Sequence, residues 1–429
     1  MTPRAAILLW DVIEEHLDEA DFLFGQWERA LSSPTISLDD LAAHGEERLL
    51  AHLDGLVAAG RPAADRLLRP ALAGTEPDRA TAAGLALLAG EGDGLDAVLD
   101  AAAKAPADRR APLLRALALA DRPEIDARLT SWLGEGDALL VAAALSTLTF
   151  RGGDPGRALG KIRADDAPAL VRAGVIAARS ARSRPLQQLA GEALGSPDTA
   201  VRDEAILTGL LLGFSAAWDT CRRLVGAGDP SSAGLLGLCA MAGGPAEREA
   251  VQRAIEVPEL AIAALDALGQ AGTVGAAEAC LFYLDDARLG PTAASAFATI
   301  TGLPLRAPYL AAPPRGEPGI PADEALAAED RETSLPRLDP GAAHRFWGES
   351  RSRFDPRTRY LLGEPLRVDT ALAALRHGPM RRRPSLALEI ALRTRGKFTV
   401  ETRAFTARQR AEIGKLRALP ALAFERPLE

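Results

Sequence analysis

Cysteine is almost absent from this 429-residue chain: Cys221, Cys239 and Cys280 lie far apart, and no Cys-x-x-Cys occurs. So odd and sparse a set is no disulfide framework and reads as small buried hydrophobes in a reducing compartment. Aromatic residues make up only 4% of the chain, and β-branched runs are sparse, which argues against an all-β fold. Lysine is nearly missing too, with Lys104, Lys161, Lys397 and Lys415 alone among 50 basic residues. The longest charge-free runs span 17 residues and are broken by Gly, Pro, Ser or Thr, short of the roughly 20 apolar residues of a membrane span. The apolar stretch within Met1–Trp10 stops at Asp11 with no small-residue cleavage site after it, so the expected location is cytoplasmic.

What is present is 48% hydrophobic and 25% charged, rich in Ala and Leu, as in a folded soluble protein. Trp10, Ile13, Leu17, Ala20 and Phe24 recur at spacings of three and four, which predicts a helix over 5–30 with Glu14, Glu15, Asp18 and Glu19 on its other side. Ser37 as an N-cap with Asp39 and Asp40 behind it predicts a second helix over 37–59. From about residue 78 the chain repeats. Helical units begin near Ala80, Arg109, Ala138, Pro168, Thr199, Ser232, Glu259 and Leu289, spaced by 27 to 33 residues. Each unit holds two short helices and cannot bury its apolar face alone, which is the pattern of an all-α solenoid. Ala261, Ala264, Leu265 and Leu268 are the expected core stripe of one such helix.

The run Asp198–Ala205, an acidic cap followed by Val-Arg and then Ala, resembles the start of a HEAT-like repeat, and Ala263–Gly269 resembles its Ala-Leu-Gly ending. A broader resemblance rests on His16–Leu23, Trp27–Leu31, Leu49–Gly55, Ala296-Phe297, Ile300–Leu303 and Arg359–Gly363. Together these look like an uncharacterised family of bacterial HEAT-like proteins whose genes often lie near type VI secretion genes. The resemblance implies a helical-hairpin fold and a pathway; no activity and no catalytic residue comes with it.

The expected organisation is an acidic helical segment at 1–77, the solenoid at 78–303, a Pro-rich linker at 304–340 and a basic segment at 341–429. The linker has room for a helix only around Asp323–Glu329. In the last segment helices are expected at 341–351, 369–376, 384–394 and 406–418. A short strand is expected at Lys397–Thr402, where Phe398 and Val400 share a face.

Catalytic chemistry finds little footing. The five histidines form no His-Glu dipeptide and no His-Glu-x-x-His, which speaks against the di-iron and zinc patterns. His44 and His52 are about two helical turns apart and are read as solvent-facing or satisfied rather than as ligands. Gly-x-Ser-x-Gly is missing, and the turn Arg151–Gly156 lacks the Gly-Lys-Ser/Thr ending of a phosphate loop. Asp165-Asp166 and Asp285-Asp286 sit where helix caps belong. No cofactor and no metal is assigned.

The feature above background is charge. Formal charge is −9 over residues 1–78 and +7 over residues 304–429. Arg376, His377, Arg381, Arg382, Arg383, Arg393, Arg395 and Lys397 face a single acid within their stretch, Glu389. Arginine holds carboxylates in a planar fork, so Arg376, Arg381, Arg382, Arg383 and Arg393 are either a solvated patch or candidate contacts for an acidic face, supplied by the acidic N-terminal region of the chain itself or by a partner protein. Trp347, beside Phe346, Arg351 and Arg353, is a candidate hot spot. An acidic protein and scarce aromatics near the cluster disfavour nucleic acid. The expected function is a non-enzymatic scaffold or adaptor, possible oligomers left open. The rival is a HEAT-like enzyme of the lyase or glycosylase type, with a site assembled only in the fold.

Overall fold

The computed structural model describes residues 8–429 except 135, 156–161, 181–183, 312–334, 419–421, 425 and 429. It is an all-α helical-repeat protein. The first helix runs Trp10–Ala30; the second region is Leu38–Asp40, a π-helical stretch Leu41–Glu46, and Glu47–Ala58. The expected unit starts coincide with helix starts to within three residues, as at Pro77–Ala89, Ala107–Leu119, Ala138–Arg151, Pro168–Ala177, Ala261–Ala271 and Gly290–Thr301. The local signals are capping residues. Thr273 and Asp339 accept hydrogen bonds from the backbone N–H groups of Ala276 and Ala342 and so set the starts of Val274–Phe282 and Pro340–Ser350.

The chain forms two compact units that do not follow the four expected segments. One comprises 1–29, 40–204 and 403–406; the other 30–39, 205–402 and 407–429. In the first unit Pro77–Ala89 packs on Ala107–Leu119, which packs on Ala138–Arg151, which packs on Pro168–Ala177. In the second, Leu236–Ala242, Ala261–Ala271 and Gly290–Thr301 stack in the same way. Small residues permit this closeness. A Cβ added at Gly269 would lie 3.0 Å from the Cα of Ala296 on the next helix. Ala261, Ala264, Leu265 and Leu268 are all buried in this stack. Leu268→Ala is expected to lower stability by about 2–5 kcal/mol through lost burial and the cavity left behind, measured by urea denaturation.

The basic segment follows the expected helices to within a few residues and differs from expectation in its strands. Helices occur at Pro340–Ser350, Val368–His377, Arg383–Arg393 and Thr406–Lys415. No strand forms at 397–402: the alternation of Phe398 and Val400 finds no neighbouring strand to pair with. The strands that do form, Tyr360–Leu361 and Glu364–Pro365, make a small antiparallel hairpin. The Asp323–Glu329 helix falls outside the described residues, whereas the linker's ends are joined by a bridge between Leu310 and Leu338.

That hairpin caps the helical stack of the second unit. Tyr360 donates its N–H to Gly272 O at 2.7 Å, and Leu362 and Gly363 donate to Thr299 O and Ile300 O at 2.6 and 3.0 Å. Carbonyls that a helix end leaves open are thereby satisfied. Gly302 ends Gly290–Thr301 with φ of 74°, and a Cβ there would meet Leu362 O at 2.5 Å. Only glycine combines that backbone angle with that close approach.

Candidate functional site

The arginines that look alike in sequence divide sharply by environment. Arg383 is fully buried; it donates from Nε to Leu375 O at 2.7 Å and from Nη1 to Gln409 Oε1, with burial lowering its pKa to about 10. Arg393 donates from Nε to Glu389 at 2.9 Å and from its Nη atoms to the carbonyls of Met241, Ala423, Phe424 and Arg426. Both hold the second unit together, so the expectation that they belong to an exposed docking face is corrected. Trp347 is corrected likewise: it is buried against Phe297 and Phe354, with ring centroids 5.7 and 5.2 Å away.

Arg376 is half-buried, and its side chain makes no hydrogen bond or ion pair among the described residues. Arg381 and Arg382 are different again. They line a pocket of about 420 Å³ in the second unit, with Thr35, Ser295, Thr299, Leu303, Leu305 and Leu362 among its walls. Backbone pairing fixes the place: Met380 and Arg381 donate their N–H groups to Ile36 O and Ser33 O at 2.8 and 3.0 Å. The Ile300–Leu303 and Arg359–Gly363 runs, read separately in the sequence, meet at this wall through the hairpin.

Neither guanidinium at the pocket donates a hydrogen bond among the described residues, and Arg381 Nε is buried without an acceptor. Their nearest anion is Asp266 Oδ1, at 3.6 Å from Arg381 and 3.7 Å from Arg382, beyond hydrogen-bond range. The other oxygen of Asp266 accepts from Gln270 Nε2 at 2.9 Å. The Arg382 side chain is 11% exposed, and that burial lowers its pKa despite the pull of Asp266. The site is an incompletely matched pair of cations, Arg382 largely desolvated and Arg381 one-third exposed, beside an apolar wall. It can hold an anion that has an apolar body.

A larger cleft of about 740 Å³ in the first unit has no such surplus. Its Arg61 and Arg69 both pair with Asp65, at 3.4 and 3.1 Å, and Arg69 also reaches Asp93. The acidic first helix is also matched within its own unit, Glu14 by Arg66 at 3.1 Å and Asp18 by Arg79 at 2.5 Å.

The segregated charge meets in part through residues that the sequence pattern did not single out. In the first unit Arg403 pairs with Glu28 at 2.6 Å, and in the second Arg410 pairs with Asp39 at 2.8 Å. Among the described residues no group of three or more His, Cys, Asp or Glu is placed to hold a metal ion. His52 lies against His16 instead, Nδ1 to Nδ1 at 3.1 Å. All three cysteines are buried, and Cys280 is pushed up to about 12 by burial. Among the described residues no helix is long and apolar enough to cross a membrane.

No family model matches the chain, and no curated protein matches it significantly. Among solved structures it is similar to the Escherichia coli protein YibA, at 12% identity over 69% of this chain and 99% of that one, with a TM-score of 0.32. An engineered protein overlaps 89% of this chain and 95% of its own at 15% identity and a TM-score of 0.26. A mutant of Kap121p overlaps 70% of this chain and 34% of its own at 12% identity and 0.23. Overlaps this loose carry no statement about function.

Proposed function

We propose that this protein is a non-enzymatic interaction scaffold or adaptor on HEAT-like helical hairpins, which receives an acidic protein partner at the Arg381–Arg382 pocket. The observation that supports it is the incompletely matched guanidinium pair, which shares one carboxylate at 3.6 and 3.7 Å and makes no hydrogen bond, set against Arg359 and Arg393, whose Nε and Nη donors are taken up inside the fold. Stacked hairpins supply a rigid frame for such a surface. The family resemblance points to a bacterial type VI secretion pathway as the setting.

The test reverses one charge. Arg381 makes no side-chain hydrogen bond and is 33% exposed, so Arg381→Glu is expected to keep the helical circular dichroism unchanged. Cross-linked capture from the native host should fall about tenfold in the variant, and wild-type capture should weaken with salt, because exposed charges are screened beyond a Debye length of ~8 Å at physiological ionic strength. Equal, salt-insensitive capture by both proteins rejects an acidic partner. Captured products of type VI secretion genes support the pathway; captured proteins from elsewhere remove it.

A further inference from the structure

An acidic partner at this pocket meets chemistry that restricts which acid it can present. Arg381 and Arg382 share the single carboxylate of Asp266, so the inner end of the pocket carries one net positive charge. Arg306 stands on the exposed rim. A phosphate group brings about −1.5 to −2, more than that inner end matches, into a site whose remaining walls are mostly Leu, Pro and Ala. Burying the excess charge there is unfavourable. A carboxylate brings one charge, and its two oxygens suit a guanidinium fork.

The volume argues further. About 420 Å³ lies in the range of about 300–1,000 Å³ that takes up a compact organic group. A carboxylate alone leaves the apolar wall of Leu303, Leu305 and Leu362 uncovered. An internal Asp or Glu brings only its own short stem, and its chain must pass in and out of a concave site. A chain terminus enters end-on and delivers an apolar side chain and a carboxylate from one Cα.

We propose that the pocket is a receptor for the free C-terminal carboxylate of a partner chain that ends in an apolar residue. Arg381 and Arg382 hold the carboxylate, and Leu303, Leu305 and Leu362 cover the terminal side chain. This rests on the acidic-partner reading and specifies the element recognised.

The experiment is calorimetric titration of the full chain with four probes. They are an N-acetylated Gly/Ser hexapeptide ending in Ala-Leu as free acid, the same peptide amidated, an amidated peptide of equal length with an internal Glu, and octanoate. The free acid should bind, the amide at least about tenfold more weakly, and Arg381→Gln should weaken the free acid by about tenfold. Leu305→Ser, on the half-buried wall, adds no charge and should weaken the free acid independently of the arginine. Equal binding of acid and amide overturns the proposal, as does free-acid binding that neither variant changes. Tighter binding of octanoate overturns it in favour of a small-molecule site. Arg381-dependent binding of the internal-Glu peptide at equal strength overturns the terminal carboxylate and leaves the acidic partner standing. Absence of binding by every probe also overturns it, while the acidic partner itself is judged separately by the Arg381→Glu capture.

Discussion

Glu389→Ala is expected to lower stability by about 3–5 kcal/mol, the range for breaking a buried ion pair by removing one partner. Glu389 is buried and accepts from both Nη atoms of Arg359, at 2.5 and 3.1 Å, and from Arg393 Nε at 2.9 Å. Without it, two buried cations keep only carbonyl partners. Arg359 donates to Met241 O, Gln270 O, Ala271 O and Phe424 O, so it fastens the C-terminal ends of Leu236–Ala242 and Ala261–Ala271. Helix C-termini carry partial negative charge and welcome a cation, but less strongly than a carboxylate does. Arg248 adds to the load nearby, pushed down to about 10 by burial, with Arg359 as the next cause. The check is thermal denaturation followed by far-UV circular dichroism. Adding Arg359→Leu to Glu389→Ala should destabilise by less than the sum of the single changes, because partners in one buried network are not additive. Strict additivity would show that the pair does not act as one.

Trp27→Ala is expected to cost about 3–5 kcal/mol, the usual range for truncating a buried large aromatic. Trp27 is fully buried in the first unit, with Phe24 and Phe405 at ring-centroid distances of 5.9 and 5.0 Å. Its Nε1 donates to Glu46 Oε2 at 2.9 Å, and Glu46 also accepts from the backbone N–H of Thr406 at 2.9 Å and from its hydroxyl at 2.7 Å. The truncation removes the ring's burial and one of Glu46's donors together. Trp27→Phe keeps most of the apolar volume and loses only the N–H, so its loss should be clearly smaller. Urea denaturation of both variants separates the two contributions. Similar losses would mean that the Glu46 hydrogen bond, not the packing, dominates.

Helix starts were legible because their causes are local. Pro168, Thr199 and Ala138 open helices at the positions read from the repeat, and Ser232 and Glu259 fall within two residues of helix starts at Pro230 and Ala261. Capping side chains, the helical spacing of apolar residues and Gly-Pro breaks act over a few residues, and a sequence displays them directly. The 359–363 run was legible only as part of a resemblance. Its physical work, closing helix C-termini such as those at Thr299–Ile300 and Gln270–Ala271 that lie far earlier in the chain, has no local signature.

The candidate site depended on the fold. Arg381, Arg382 and Arg383 are consecutive and chemically identical, yet Arg383 is enclosed and donates to Leu375 and Gln409 while its two neighbours face a pocket with Asp266 beyond hydrogen-bond distance. By itself the chain determined an all-α repeat architecture, because period and caps are properties of neighbouring residues. Which arginines became structural and which stayed available was decided only by the tertiary structure. The energy of a buried charge is set by its desolvation and by the acceptors brought to it from distant parts of the chain, and no spacing in the sequence reports either.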